Sequence, residues 1–247
     1  MKLLKKVLAG VAVAAAMASA HASTITVGGV TWDPDFANPP SNSETDLTAE
    51  ASLVQWFVLN TNAATNATNE ALNSTAVTGG PGTTLQGMGK VTKLNGSSTF
   101  ANGGELTFTF GGFMATGAST LANGWINFYF DSTADYNSGA LTGANDGILW
   151  LSTVVTSNTF TGSTFNAGTL SYFLDATGGA AFGNINTNSL FNGADLQGGA
   201  YAQFNNGNKF ATTNGNIYGN SIPEPESLAL VGLGLLGLAA ARRRKSA

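Results

Sequence analysis

Apolar and polar positions alternate most cleanly between residues 105 and 130. In Glu105-Leu106-Thr107-Phe108-Thr109-Phe110, the side chains of Leu106, Phe108 and Phe110 share one face. In Trp125-Ile126-Asn127-Phe128-Tyr129-Phe130 the apolar face is Ile126, Phe128 and Phe130, with Trp125, Asn127 and Tyr129 opposite. A period of two marks a half-buried β-strand. Similar turn sequences, residues 98–104 and 119–124, precede the two runs. A solenoid needs three such units or more, so the echo predicts two neighbouring strands with similar turns. Residues 53–59 are nearly continuous apolar, which predicts a strand covered on both faces. Residues 24–27 and 30–32 read as one opening strand interrupted by a bulge at Gly28-Gly29. Further strands are predicted at 148–155, 170–174 and 200–204. Turns are predicted at Asn95-Gly96, Asp146-Gly147, Asn192-Gly193, Asn206-Gly207 and Asn214-Gly215. Residues 60–84 read as a long low-complexity loop with a short helix at 69–72. No long helical period precedes Leu228. The pattern predicts an all-β fold, a single jelly-roll-like β-sandwich over residues 23–204, followed by a polar Gly/Asn-rich tether at 205–221.

The two ends are patterned differently. Lys2, Lys5 and Lys6 precede an apolar stretch at 7–18 and the small-residue site Ala20-His21-Ala22. This is the layout of an N-terminal signal peptide over residues 1–22, cleaved between Ala22 and Ser23. At the other end, Ile222-Pro223-Glu224-Pro225-Glu226-Ser227 leads into the apolar run 228–241 and the basic stop Arg242-Arg243-Arg244-Lys245. The prolines hold residues 222–225 extended, a shape a processing enzyme can thread. Ser227 stands where a helix N-cap belongs. As a helix the run spans roughly 21 Å against about 30 Å of bilayer hydrocarbon, a short transmembrane segment with a cytoplasmic cationic end.

Pro223, Glu224 and Pro225, followed by that run and those arginines, resemble the PEP-CTERM sorting signal of Gram-negative bacteria, here residues 222–247. The family more often has Val where this chain has Ile222. The resemblance implies recognition by an exosortase, a membrane-embedded transpeptidase-like enzyme of exopolysaccharide-producing bacteria, during transient insertion in the inner membrane. Residues 25–34, 104–112 and 128–131 also resemble the flocculation-associated PEP-CTERM proteins. That likeness implies a protein exported through the inner membrane to the cell surface or extracellular matrix, where it promotes floc and biofilm formation together with exopolysaccharide. It supplies no catalytic residues.

Charge and composition narrow the chemistry. There is no cysteine, and His21, the one histidine, lies in the export signal. Export into an oxidising compartment therefore brings no disulfide, and Ser-His-Asp, Cys-His and histidine-ligated metal chemistry are excluded from the processed chain. From Ser23 to Glu226, Lys90, Lys93 and Lys209 stand against 14 acidic residues, a net charge of −11. Nucleic acid is not an expected partner of so acidic a surface. Asp131, Asp135 and Asn137, directly after an aromatic strand, are weak candidates for oxygen ligands to Ca²⁺. Turn-closing residues that need no cofactor are the expected role of all three. The expectation is a non-catalytic protein. The rival is a paired-carboxylate glycosidase sorted by the same route, which requires two acids converging in an aromatic-lined cleft. A self-assembling fibre would require a long exposed strand edge.

Overall fold

The computed structural model describes residues 24–36, 46–60, 77–165, 167–203 and 210–222. Strands β1 (Ile25–Val27) and β2 (Val30–Trp32) form a hairpin. Gly28 and Gly29 have φ values of 55° and 87°. This is a two-residue turn between strands, where a bulge within one strand was predicted. Two consecutive left-handed residues are what such a turn requires, and glycine adopts them without a Cβ penalty.

The remaining strands are β3 (Leu47–Leu59), β4 (Thr83–Leu94), β5 (Glu105–Ala115), β6 (Leu121–Ala122), β7 (Trp125–Asp131), β8 (Ile148–Thr164), β9 (Ala167–Gly178), β10 (Leu196–Gln203) and β11 (Ala211–Gly219). Setting aside the two-residue β6, each pairs antiparallel with its neighbour in the chain, and β11 returns to pair with β3 from Ala211↔Gln55 to Gly219↔Leu47. Eight strands thus close into an up-and-down barrel, which corrects the predicted sandwich. Alternation cannot separate the two architectures, because each needs one apolar face per strand. Closure comes from the β11–β3 pair and from register shifts in β3–β4, β4–β5, β7–β8 and β8–β9 that bend the sheet. Every barrel strand has a partner on both sides over at least part of its length, but beyond Val155 β8 is paired with β9 alone, so residues 157–164 form an edge with one strand partner among the described residues.

Eight strands enclose a space just wide enough for side chains to fill. Phe108, Phe110, Phe113, Phe128 and Tyr172 fill it, with ring centroids 5.6 Å apart for Phe108–Phe128 and 6.1 Å for Phe110–Phe113. Burying each such ring is worth roughly 1.5–3 kcal/mol. Two apolar voids of about 30 and 20 Å³ remain, the scale of single water molecules. One end is closed by the β1–β2 hairpin, whose Ile25, Val30 and Trp32 are buried. The Trp150 indole N–H donates to the Val27 carbonyl at 2.9 Å and its ring meets Trp32 edge-on at 5.8 Å. The one-turn helix α1 (Phe182–Ile185) adds Ile185 to the same core.

The sequence pattern did not predict β4. Its inward positions include Gly87 and Gly89, opposite Phe110 and Phe108, and a Cβ on either glycine would strike the facing ring. The neighbouring strand supplies the apolar mass that β4 lacks. The second face of β3 is covered as predicted: Val54, Trp56 and Val58 pack with Met88, Leu141 and Ala144, beside Tyr136 and Phe210. The segment joining β7 to β8 lies over the outside of the barrel to make this cover.

Among the described residues, no helix is long and apolar enough to cross a membrane. The run 228–241, the signal peptide, the helix expected at 69–72 and the Asn206-Gly207 turn lie outside the described residues.

Candidate functional site

The chain ahead of the Pro223-Glu224-Pro225 motif is part of the barrel. Residues 205–221 were expected to form a tether, yet Ala211–Gly219 is the closing strand β11. Asn214-Gly215, expected as a turn, is mid-strand, with Gly215 facing inward beside Leu53 and Ala200. Small inward residues and polar outward ones erased the strand signal. After β11, the Ser221 N–H donates to Asp46 Oδ2 at 2.9 Å and the Ile222 N–H to the Asn184 carbonyl at 2.8 Å. Asn184 Nδ2 returns a hydrogen bond to the Ile222 carbonyl at 3.3 Å. Pro223 therefore follows directly on a residue held by the fold. The motif itself, the basic stop Arg242–Lys245 and the Ala22–Ser23 cleavage position lie outside the described residues.

The β7–β8 segment holds the acidic residues. Asp131, Asp135 and Asp146 bring carboxylate oxygens within 4.8 Å of one another. Asn137 does not join them; its Oδ1 accepts from the Gly139 and Ala140 N–H groups at 2.9 Å, closing its own turn. Asp131 Oδ1 likewise accepts from the Thr133 N–H at 2.8 Å. Asp146 was read only as a turn residue. It reaches the cluster because Phe130 pairs with Ile148, which sets the residues flanking the β7–β8 connection side by side. Three carboxylates of this kind match the hard oxygen donors that Ca²⁺ takes. Without a cation they repel one another. Partial desolvation, then the charges of Asp146, Asp131 and Glu105, push the exposed Asp135 carboxyl above the ordinary aspartate range.

A raised folded-state pKa favours the protonated form. Its contribution to stability is present below the unfolded aspartate value of 3.8 and is lost as pH rises through the folded value. In calcium-free buffer, Asp146→Asn is thus expected to raise the melting temperature at pH 7, and to have little effect at pH 3. A lower melting temperature at pH 7 would contradict the repulsion.

Glu105, 1 % exposed, anchors the same segment. Its Oε1 accepts from the Asp135 and Tyr136 N–H groups at 2.9 and 2.7 Å, and its Oε2 is ion-paired to Lys90 Nζ at 2.8 Å. A second acidic pair lies elsewhere. Desolvation, then a hydrogen bond to Asp195 and its charge, raise the Asp175 carboxyl. Asp195 is fully buried, with Oδ2 accepting from Ala176 N–H at 2.8 Å and Oδ1 from Thr187 and Asn188 N–H at 2.7 Å.

On the outer face of β7, Trp125 packs over Gly111 and Gly112, and Asn127 Oδ1 accepts from Ser152 Oγ at 2.8 Å. Trp125, Asn127 and Tyr129 share that face as predicted, partly exposed.

Residues 221–245 match the PEP-CTERM protein-sorting motif. The chain thus carries a PEP-CTERM sorting signal, and the motif implies export through the membrane to a surface or extracellular location, with processing by an exosortase. No curated protein and no solved structure matches the chain.

Proposed function

We propose that the processed protein is a non-catalytic component of the extracellular matrix, acting with exopolysaccharide in floc and biofilm formation. The observation that carries this reading is the attachment of the sorting motif, without a linker, to a barrel filled by its own aromatic side chains. Such an interior suits a rigid displayed body better than a substrate cup. The likeness of residues 25–34, 104–112 and 128–131 to flocculation-associated proteins points the same way. The glycosidase alternative needs two carboxyl groups free to flank a glycosidic bond. Asp195 is buried with three backbone donors on it, and the Asp131–Asp135–Asp146 group sits on the outer surface. Neither arrangement favours that chemistry.

Deleting the gene is expected to leave growth and polysaccharide secretion unchanged and to disperse flocs, with mature protein added in trans restoring aggregation. Normal flocs in the deletion strain, or breakdown of polysaccharide by the purified protein, would overturn the proposal. The intact mass of the exported protein should lack residues 1–22 and the 242–245 tail. Pro223→Ala with Pro225→Ala should make the membrane-held precursor the main species, because the extended conformation is no longer imposed. Recovery of the basic tail on extracellular protein would contradict exosortase processing.

A further inference from the structure

Of the glycines near the middle of a barrel strand, Gly199 stands apart. Gly87, Gly89 and Gly198 face inward, where a Cβ would meet Phe110, Phe108 and Tyr172. Gly199 faces outward at the centre of β10, and a Cβ there would meet only the Leu170 carbonyl at 3.3 Å and Ser171 Oγ at 4.0 Å. Its φ is not in the left-handed region. Glycine within a strand costs roughly 0.5–1 kcal/mol, and a common reason to keep one is the close approach of another molecule. Neither interior packing nor backbone strain accounts for it here.

Gly199 is the floor of an open trough of about 490 Å³ on the outer face of β9, β10 and β11, a volume typical of small-ligand sites. Register places Ser171, Gly199, Asn216 and Glu50 in one row across β9, β10, β11 and β3, with Phe173, Gln197 and Tyr218 in the next. Tyr201, 48 % exposed, bounds the trough on one side. Phe173, whose ring lies tilted against the 64 % exposed Phe191 at 5.5 Å, bounds it on the other. Between these rings lie the amides of Gln197, Asn214 and Asn216 and the hydroxyls of Ser171 and Tyr218. None of those five side chains has a hydrogen-bond partner among the described residues. On the outside of β5 and β7 some polar groups are already committed: Thr107 donates to the Ala144 carbonyl at 3.0 Å, and Asn127 is bonded to Ser152. Among the described residues no cationic side chain lines the trough, and Glu50 at its margin is paired with Lys93 at 3.0 Å.

We infer that this trough is a carbohydrate-binding site for a segment of neutral polysaccharide. A sugar ring presents an apolar C–H face, which suits the rims, and a belt of hydroxyls, which suits unpaired amides and hydroxyls; a lining without cations among the described residues disfavours anionic chains. The inference rests on the matrix reading and gives its polysaccharide contact a place on the barrel.

The exported protein is tested by saturation-transfer NMR with cellohexaose, chitohexaose and mannohexaose, and with an alginate hexauronate as the anionic arm. Transfer from the wild type to at least one neutral hexasaccharide is expected, and the hexauronate should show less. Gly199→Ile fills the floor with a residue suited to an exposed strand and should weaken binding at least tenfold with the melting temperature unchanged. Tyr201→Ala should weaken it independently, and Asn127→Ala on the opposite face should not. No transfer to any neutral hexasaccharide, stronger transfer to the hexauronate, or undiminished binding in both Gly199→Ile and Tyr201→Ala would overturn the site. Expressing Gly199→Ile in the deletion strain separates the two claims. Intact flocs despite lost sugar binding would overturn the trough as the matrix contact and leave the matrix role standing. Normal flocs in the deletion strain itself would overturn the role and leave the binding site standing.

Discussion

Gly89→Val is expected to destabilise the barrel by about 3 kcal/mol or more, a large share of the 5–15 kcal/mol that holds a typical domain together. The reason is steric. A Cβ on Gly89 falls on the Phe108 ring and lies 2.5 Å from the Ser52 carbonyl oxygen and 2.8 Å from Leu53 Cβ. A flexible side chain could give way. Ser52 is fixed by the β3–β4 ladder, where it faces Lys90, and Phe108 is held between Phe110 and Phe128. Gly87→Val should behave alike, because its Cβ falls against the Val54 carbonyl and the Phe110 ring. Thermal unfolding measures both. Gly199→Ile is the matched control, a larger side chain on the same barrel directed outward, expected to change stability by less than about 1 kcal/mol. If Gly89→Val and Gly199→Ile melted together, the aromatic filling of β4's inner face would not be what these glycines serve.

The same pair of glycines shows why part of the fold was legible in the sequence and part was not. Strands β5 and β7 were readable because each carries its own apolar face, Leu106-Phe108-Phe110 and Ile126-Phe128-Phe130. Strand β4 presents glycines where β5 presents rings, so its alternation exists only once the two are paired. Strand β11 faces inward with Ala211, Gly215, Ile217 and Gly219, too little apolar mass to stand out from a polar tether. Barrel and sandwich share one local pattern, and the difference lies in β11 finding β3 across more than 150 residues. The sites divide likewise. Pro223-Glu224-Pro225 with its apolar run and arginines is contiguous and was complete in the sequence. The acidic cluster was half readable, since Asp131 and Asp135 are close in sequence while Asp146 arrives through the β7–β8 register. The trough depends on register across three strands and carried no local signal.

Glu105→Ala is expected to cost about 3 kcal/mol, from the stranded ion-pair partner and the unmatched backbone donors together. Removing one partner of a buried pair ordinarily costs about 3–5 kcal/mol. Lys90 is partly exposed, so water can take up its charge, which sets the expectation at the lower end. The larger consequence is local. Glu105 accepts the Asp135 and Tyr136 N–H groups, and these tie the β7–β8 segment to the outside of β5. Without them, Leu141 and Ala144 lose the anchor that keeps them over Val54, Trp56 and Met88. Glu105→Gln keeps an acceptor for both N–H groups and gives up only the ion pair, so it should lose about half as much. A melting temperature lower by about 6–12 °C for Glu105→Ala, with earlier protease cleavage within residues 132–147, is the expected result. Replacing both members, Lys90→Met with Glu105→Leu, should recover part of the loss on the pairing side and none of the cleavage resistance, because no apolar residue can accept the two N–H groups. If Glu105→Ala melted within 2 °C of the parent and resisted cleavage equally, the apolar contacts of Leu141 and Ala144 alone would be holding the segment.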